Sequence, residues 1–292
     1  MIRSEKAVSE VIGMVLILGI MILVIGIIML AAVPMIESGK ERARMDVAAN
    51  SFLSMQNDIE EVVRGPIWIT DPSTETNINR LGPSRETQFE LMGGTLNVLP
   101  NSTNISEKSK TLNITTNKNF TIIIPPSSIT YRADQERIVY ENGAVFRLYA
   151  SGMPIMVSNP LISIYQIDNN NITISIHAIS LNGTLSSVGG DGKAWIETRL
   201  VKYNESIPPN STIPNANNIF INITSAYPDA WESFFDEKLN KSAGLARTDK
   251  NSTTGYSING TKPMEVRIFG KKSNVPDIYL SLYESRLDVK VR

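Results

Sequence analysis

The sequence predicts an α+β protein in which one long N-terminal helix leads into a large antiparallel β-rich head of sandwich-like architecture. Three observations predict this class. Residues 11–33 contain no charged side chain, and residues 52–63 repeat apolar side chains at spacings of three and four. After Pro66 the chain alternates apolar and polar residues between turn signals. The predicted order is a membrane-spanning helix, an amphipathic helix and a β-rich domain.

The uncharged segment Val11–Val33 is long enough to cross a membrane. At about 1.5 Å per residue it forms a helix of roughly 35 Å, and a hydrocarbon core is about 30 Å thick. Arg3 and Lys6 precede the segment, so the positive-inside rule places the N-terminus in the cytoplasm. Charged residues that follow closely weaken this contrast: Glu37, Lys40, Glu41, Arg42 and Arg44. We expect a single-pass protein of the cell membrane, spanning it over residues 8–36, with an extracellular head.

The helix is expected to continue to about Arg64 as an amphipathic segment over residues 37–65. Pro34 is a position where it can kink. The apolar residues of this segment share one face: Phe52, Met55, Ile59 and Val62 or Val63. Polar residues fill the other faces: Asp46, Asn50, Asn57, Asp58 and Glu61. Gly65 and Pro66 end the helix, because glycine can adopt the left-handed cap and proline cannot extend the hydrogen bonding.

Residues 66–292 form the predicted head domain. Phe89–Met92 and Thr95–Leu99 flank Gly93-Gly94, which predicts a hairpin whose glycines supply positive φ. The other predicted strands also alternate apolar and polar residues. They are Thr111–Thr115, Phe120–Ile124, Arg137–Glu141, Val145–Ala150, Ile155–Ser158, Leu161–Asp168, Asn171–Leu181, Ala194–Lys202, Ile219–Thr224, Met264–Phe269 and Ile278–Tyr283.

One helix is expected inside the head, over Ala230–Ala243. Asp229 is the predicted cap at its start, and Gly244 closes its end. Its apolar side chains are expected to face the core: Trp231, Phe234, Phe235 and Leu239. An exposed aromatic binding platform made of the same rings is the alternative, and core packing is the interpretation that helical spacing favours.

The N-terminus carries a short motif in front of the apolar helix. Lys6-Ala7-Val8-Ser9-Glu10-Val11-Ile12-Gly13 resembles the class III signal of archaeal type IV pilin-like proteins. The resemblance implies that prepilin peptidase removes a leader of residues 1–7 and leaves Val8 as the first mature residue. It also implies a pilus assembly ATPase, a membrane platform and other pilin subunits as partners. Gly82–Thr87 and Tyr140–Phe146 are more weakly similar to segments of archaeal pilin-like surface proteins.

Two other interpretations of the N-terminus stay open. An uncleaved signal anchor fits the hydropathy equally well and gives a monomeric surface adhesin or receptor glycoprotein. A secretory peptide cut after Ala31 or Ala32 would release the head, although its apolar run exceeds the usual 7–15 residues. The position of the motif in front of the helix favours pilin-type processing, because such a cut leaves the helix attached.

Two departures from the pilin pattern shape the expected role. Bacterial-type pilins carry a glutamate at the fifth mature position, where this chain has Ile12, and the nearby acid is Glu10. One hypothesis pairs Glu10 with the Val8 amine of a neighbouring subunit, because an unpaired carboxylate is costly in an apolar bundle. The alternative places Glu10 at the lipid headgroups. Gly13 permits close helix approach, and the length of the chain favours a minor or tip subunit.

The chain carries twelve N-x-S/T acceptor sequences, more than its composition alone would produce. All of them follow residue 100, on the side that the helix would export. They begin at Asn101, Asn104, Asn113, Asn119, Asn171, Asn182, Asn204, Asn210, Asn222, Asn240, Asn251 and Asn259. Asn- and Thr-rich strands and turns can also create such sequences incidentally, so glycosylation is an expectation that supports an exported head.

The sequence offers little for catalysis, and we predict a non-enzymatic protein with no cofactor and no metal site. The chain has no cysteine, so disulfides and thiolate metal sites are excluded. His177, the single histidine, lies in an alternating segment and is expected on a strand face rather than in a hydrolase triad. Val188–Gly192 lacks the lysine of a phosphate loop and reads as a glycine turn between strands. A net charge of −1 gives no basic surface for nucleic acid.

Overall fold

The fold is described from a computed structural model. It describes residues 3–64, 76–77, 82–100, 112–116, 121–125, 127–150, 152, 154–207, 219–260, 263–272 and 277–292. Within these ranges the side chains of 3–11, 76–77, 112–113, 116, 121–122 and 204–207 are outside the description. The described chain is α+β: a long N-terminal helix is followed by a β-rich domain with several antiparallel sheets.

The N-terminal helix α1 covers Arg3–Arg64, a length of 62 residues. It continues through Pro34, as the sequence predicts. It stops at Arg64, as predicted, while the predicted stop signals Gly65 and Pro66 lie outside the described residues. The chain groups into two units, Met1–Asp46 and Val47–Arg292. The last part of α1, Val47–Arg64, therefore belongs to the same unit as the β-rich head.

The amphipathic part of α1 buries the face that the sequence predicts. Phe52, Met55, Ile59, Val62 and Val63 are all buried. Asn50, Asn57 and Glu61 on other faces are exposed. The prediction of a head-facing apolar stripe is confirmed, and each large side chain that it buries stabilises the fold by about 1.5–3 kcal/mol.

Polar contacts fix how Val47–Arg64 lies on the head. Buried Gln56 donates its side-chain Nε2 to the carbonyl oxygens of Gly143 and Asn159, at 3.0 and 2.7 Å. Thr87 Oγ1 donates to Asp58 Oδ2 at 2.5 Å. Because a buried donor that loses its acceptor costs about 1–3 kcal/mol, these bonds select one register of the helix against the head.

The strands of the head are numbered in chain order. They are β1 Thr76–Asn77, β2 Ser84–Glu90, β3 Thr95–Leu99, β4 Leu112–Thr116, β5 Thr121–Ile124, β6 Ser128–Ala133, β7 Glu136–Glu141, β8 Ala144–Leu148, β9 Ile155–Ser158, β10 Ile162–Gln166, β11 Ile172–Gly183, β12 Ser186–Gly189, β13 Lys193–Ile207, β14 Ile219–Ile223, β15 Gly255–Asn259, β16 Met264–Gly270 and β17 Ile278–Val291. The predicted strands after residue 110 are all present; β9 has the predicted bounds, and the others differ at one end or both. The sequence does not predict the strands β1, β6, β12 and β15.

The described strands form three sheets. Sheet A has the order β1-β13-β17-β11-β10, with β2 also paired to β13. Sheet B has the order β12-β3-β6-β7-β8-β9, and sheet C the order β15-β16-β14-β4-β5. The described pairs are antiparallel, as predicted, with the exception of β11 and β17, which run parallel from Ile172↔Ile278 to Gly183↔Val289.

The predicted hairpin at Gly93-Gly94 is wrong. β2 pairs with β13 in sheet A, whereas β3 pairs with β6 and β12 in sheet B. The segments β2-β3 and β12-β13 pass side by side from one sheet to the other. Leu91 N donates to Gly192 O at 2.9 Å, and Gly93 N donates to Gly190 O at 2.8 Å. Gly93 and Gly190 have φ of 83° and 119°, which lets both chains bend at the crossing. The predicted glycine turn between strands is present at residues 190–192, which join β12 to β13, but the two strands lie in different sheets.

The predicted head helix is present in two parts. Helix α2 covers Pro228–Glu237, and a π-helical turn follows over Lys238–Ser242. The predicted cap is wrong: Tyr227 is the N-cap, and Asp229 lies in the first turn. Pro228 explains the shift, because its fixed φ suits the first helical position. Gly244, with φ of 64°, follows the turn and closes it as expected.

Sheet A buries opposite faces in its two halves. The side chains of Ile172, Ile174 and Ile176 belong to a hydrophobic core shared with α2 and sheet C. Further along β11, Ile179 and Leu181 are also buried, although their odd numbers place them on the other face of the strand. In the first half of β11 and β17, the face opposite the core carries small and aromatic side chains that are partly exposed.

We predict that Gly94→Ala destabilises the head by about 1–3 kcal/mol. An alanine Cβ at this position would lie 2.4 Å from the ring of Tyr131. That ring is fully buried, and its hydroxyl donates to Leu91 O at 2.7 Å, so it cannot move aside without loss. Urea unfolding of the full chain in detergent, followed by tryptophan fluorescence, measures the change.

Gly192→Ala is the matched control for this prediction. It lies in the same crossing, and none of the described atoms lies within 4 Å of its added Cβ. Its midpoint should stay close to that of the parent protein. Equal midpoints for the two variants would show that the close approach of Tyr131 does not constrain the crossing.

Candidate functional site

The first candidate site is the apolar part of α1. Between Ile12 and Ile36 the side chains are exposed, with Ala32 as the single partly exposed residue. This helix is long and apolar enough to cross a membrane. Exposed Ile, Leu and Val side chains in such numbers are unfavourable in water, so this segment requires lipid or other apolar helices around it.

The glycines of this segment have open surroundings. At Gly13, Gly19 and Gly26 none of the described atoms lies within 4 Å of an added Cβ. Small residues on an exposed apolar helix allow another helix to approach closely. This part of the chain can therefore pack in lipid or against neighbouring helices.

The predicted processing residues lie at the start of α1. Lys6, Ala7, Val8 and Glu10 are within its helical backbone, but their side chains are outside the described residues. The cut before Val8 and the pairing of Glu10 with a neighbouring Val8 amine remain predictions.

The predicted glycosylation residues whose side chains are described all reach the surface. Asn240, Asn251 and Asn259 are exposed, and Asn171, Asn182 and Asn222 are partly exposed. Asn113 and Asn204 lie in β4 and β13, but their side chains are outside the description. The remaining predicted residues fall outside the described ranges: Asn101, Asn104, Asn119 and Asn210. The six described positions can carry a glycan without disrupting the core, which leaves occupancy as a prediction.

His177 lies on a strand, as predicted, in the long strand β11. Its Nε2 is 2.7 Å from the hydroxyl of Ser285, and its ring contacts the rings of Tyr203 and Tyr283. Burial, together with the nearby positive charge of Arg64, lowers the pKa of His177 to about 4. The imidazole is therefore neutral at pH 7.

His177 and Ser285 form a pair that resembles part of a hydrolase site. The sequence alone does not predict this contact. The two residues are 108 positions apart, and they meet because β11 and β17 run parallel, a pairing that has no local sequence signal. Ser285 is completely buried, so its hydroxyl cannot reach a substrate carbonyl. The arrangement is a satisfied polar contact between two strands.

The aromatic residues of α2 are part of the core. Trp231 and Phe235 are fully buried, and Phe234 is 5% exposed. Their rings pack on each other and on Phe146 of β8. The prediction of core packing is confirmed, and the alternative of an exposed platform is excluded for these residues.

Metal ligands do not cluster in the part of the chain that the structure describes. No group of three or more histidine, aspartate or glutamate side chains is placed to hold an ion there.

The fold and the apolar helix define a class: a β-rich domain attached to one helix that is suited to a membrane. The chain belongs to a family of unknown function, DUF7289, whose model matches residues 6–269. The match therefore covers most of α1 and most of the head together. No curated protein matches the chain. No solved structure matches it either.

We predict that His177 makes the head less stable in acid. The folded pKa of about 4 lies below the ordinary value of 6.5, so protonation favours the unfolded state. Its contribution is constant above pH 6.5, falls between pH 6.5 and 4, and reaches a loss of up to about 3 kcal/mol.

Unfolding free energies of the parent chain and of His177→Gln, measured between pH 4 and 7.5, test this prediction. His177 is the single histidine of the chain, so the variant removes all histidine titration from this range. The variant should lose less stability between pH 6.5 and 4. Two parallel curves would contradict the assignment.

Proposed function

We propose that this protein is an archaeal type IV pilin-like surface protein, which acts as a minor or tip subunit of a pilus-like filament. The main supporting observation is helix α1, which combines an exposed apolar segment with a segment that packs into a β-rich head. A filament subunit of this kind needs both properties, because one part of the helix must enter an apolar environment while the other carries a folded domain. The proposed role is structural and requires no cofactor.

The proposed mechanism starts with the precursor in the membrane. Lipid surrounds the apolar segment until prepilin peptidase cuts between Ala7 and Val8. The mature helix then moves into a bundle of subunit helices with the help of an assembly ATPase and a membrane platform. Helix packing replaces lipid contacts in this step, so apolar surface does not become exposed to water. Gly13, Gly19 and Gly26 provide places for close approach.

The proposed orientation has the N-terminus in the cytoplasm and the head outside the cell. Arg3 and Lys6 before the apolar segment favour it. The excess of glycosylation sequences also favours it, since the six described asparagines all reach the surface. Filament assembly would carry the head further from the membrane.

A signal-anchored adhesin or receptor glycoprotein is the second candidate function. The exposed asparagines Asn240, Asn251 and Asn259 favour it, because a glycosylated head needs no filament. In that case α1 serves only as an anchor. Material sheared from the cell surface separates the two functions, since a filament subunit is enriched there with its helix attached.

We predict that Ala7→Leu blocks removal of the leader. The class III signal that this N-terminus resembles is cut after a small residue, and leucine is larger and apolar. Mass spectrometry of the N-terminal peptide from membrane and sheared fractions measures the outcome. The parent chain should begin at Val8, and the variant at Met1 or Ile2.

The double variant Ala31→Leu, Ala32→Leu is the matched control at the other end of the span. It should be trimmed before Val8 like the parent protein. If the parent begins near Ala32 or Val33 and this control blocks that cut, the chain has a secretory peptide and the pilin proposal fails. A parent chain that begins at Met1 would leave it a signal-anchored protein.

We also predict that Glu10→Gln lowers incorporation into surface filaments by tenfold or more. A neutral amide cannot form an ion pair with the Val8 amine of a neighbouring subunit. Quantitative immunoblotting of sheared filaments, normalised to the membrane pool, measures the effect. Glu37→Gln, the same change beyond the apolar segment, should leave incorporation unchanged. Equal incorporation of both variants would rule out the pairing of Glu10.

A further inference from the structure

The outer face of sheet A carries a groove that the proposed function does not use. It lies over strands β10, β11 and β17 and has a volume of about 520 Å³. The side chains that form it include Tyr165, Thr173, Ser175, Tyr279, Ser281 and Tyr283. All six are at least partly exposed, and Tyr165 has 52% of its surface exposed.

The register of the three strands arranges these side chains in rows across the sheet. Tyr165 lies opposite Thr173, which lies opposite Tyr279. The next row, Ser175 opposite Ser281, separates these tyrosines from Tyr283. Alternate residues of a strand are about 6.6 Å apart, so aromatic rings stand on both sides of a floor of hydroxyl groups.

The hydroxyl groups of this face are available to a ligand. Within the described residues, Tyr165, Tyr279, Ser175 and Ser281 make no side-chain hydrogen bond to the protein. A hydroxyl both donates and accepts, so each of these groups can bind a hydroxyl of a ligand in either direction. The tyrosine rings add apolar faces beside these polar groups.

The charges of the groove restrict the class of ligand. Asp168 is the single carboxylate among its lining residues, and lysine and arginine are absent from them. A phosphate-rich ligand such as nucleic acid would require basic side chains. A purely apolar ligand would require a more hydrophobic lining. An uncharged ligand with many hydroxyl groups and apolar ring faces fits both limits.

We propose that this groove binds an oligosaccharide from solution or from another surface. Sugar rings stack their apolar faces on Tyr165 and Tyr279, and their hydroxyls bond to Ser175 and Ser281. Thr173 Oγ1 donates to Tyr279 O at 3.4 Å and accepts from a sugar hydroxyl. Asn171, a predicted glycosylation residue, lies at the edge of the groove, where its side chain donates to Asp168 at 2.8 Å. That bond holds the Asn171 amide against Asp168 in the turn between β10 and β11. The inference does not depend on helix trimming or filament assembly.

Binding of defined hexasaccharides to the full chain tests the proposal. The protein is made in a host without N-glycosylation and kept in a detergent that contains no sugar. Cellohexaose, chitohexaose and maltohexaose are the probes, titrated by calorimetry and by saturation-transfer NMR. We expect at least one to bind with a Kd below about 1 mM. Failure of all three to bind at this level would overturn the proposal.

Variants locate the binding on the groove. Tyr279→Ala and Tyr165→Ala should each weaken binding tenfold or more, whereas Tyr279→Phe keeps the ring and should lose less. Tyr149→Ala is the matched control, because Tyr149 is 39% exposed and lies outside the groove, after strand β8 of sheet B. Unfolding midpoints show whether each variant is folded. Equal loss in the control and in the groove variants would overturn the proposal.

The protein from its native host distinguishes the source of the sugar. If the groove takes an external chain, native protein binds the same probe, and mass spectrometry of the Asn171 peptide gives its glycan state. If native protein carries a glycan at Asn171 and binds the probe only after that glycan is removed, the groove holds the protein's own glycan. That result would overturn the assignment to an external ligand.

Discussion

The packing of one helix face against the head is the interaction on which the rest of the structure depends. Phe52, Met55 and Ile59 are completely buried, and Phe52 packs edge to face on Phe89 of β2. The same helix exposes apolar side chains between Ile12 and Ile36. The buried face makes the end of α1 part of the folded head, and the exposed segment must be covered by lipid or by other helices.

Polar contacts fix the position of α1 on the head, which apolar packing alone does not. Apolar burial alone permits a helix to slide or rotate by small amounts, because the hydrophobic effect has no preferred direction. Gln56 donates to Gly143 and Asn159, and Asp58 accepts from Thr87, so a shift of the helix would leave buried groups without partners. The same contacts connect α1 to both sheet A and sheet B, which makes the end of the helix a structural element of the head.

Sheet A takes part in the packing against α1 and also carries the groove over β10, β11 and β17. Its parallel pair β11 and β17 runs through the domain, and the buried face changes partway along these strands. Ile174 and Leu280 face the core shared with α2, while Leu181 and Leu287 are buried at the other end of the strands. The change of face leaves the outer side of the first half without a covering layer of described residues, and the tyrosines and serines of the groove occupy it.

The sequence by itself determined the long helix, its apolar and amphipathic parts, and most strands, because these features depend on periodicities within short segments. The burial of Phe52 and Ile59 and the place of His177 on a strand followed from spacing alone. Only the tertiary structure decided which strands pair. Gly93-Gly94 has the local chemistry of a hairpin turn, yet β3 pairs with β12 and β6. Strand pairing depends on side chains and backbone groups that are far apart in the sequence, so a local turn signal does not determine it. The contact of His177 with Ser285 and the rows of the tyrosine groove arise from the parallel register of β11 and β17, for which no local pattern exists.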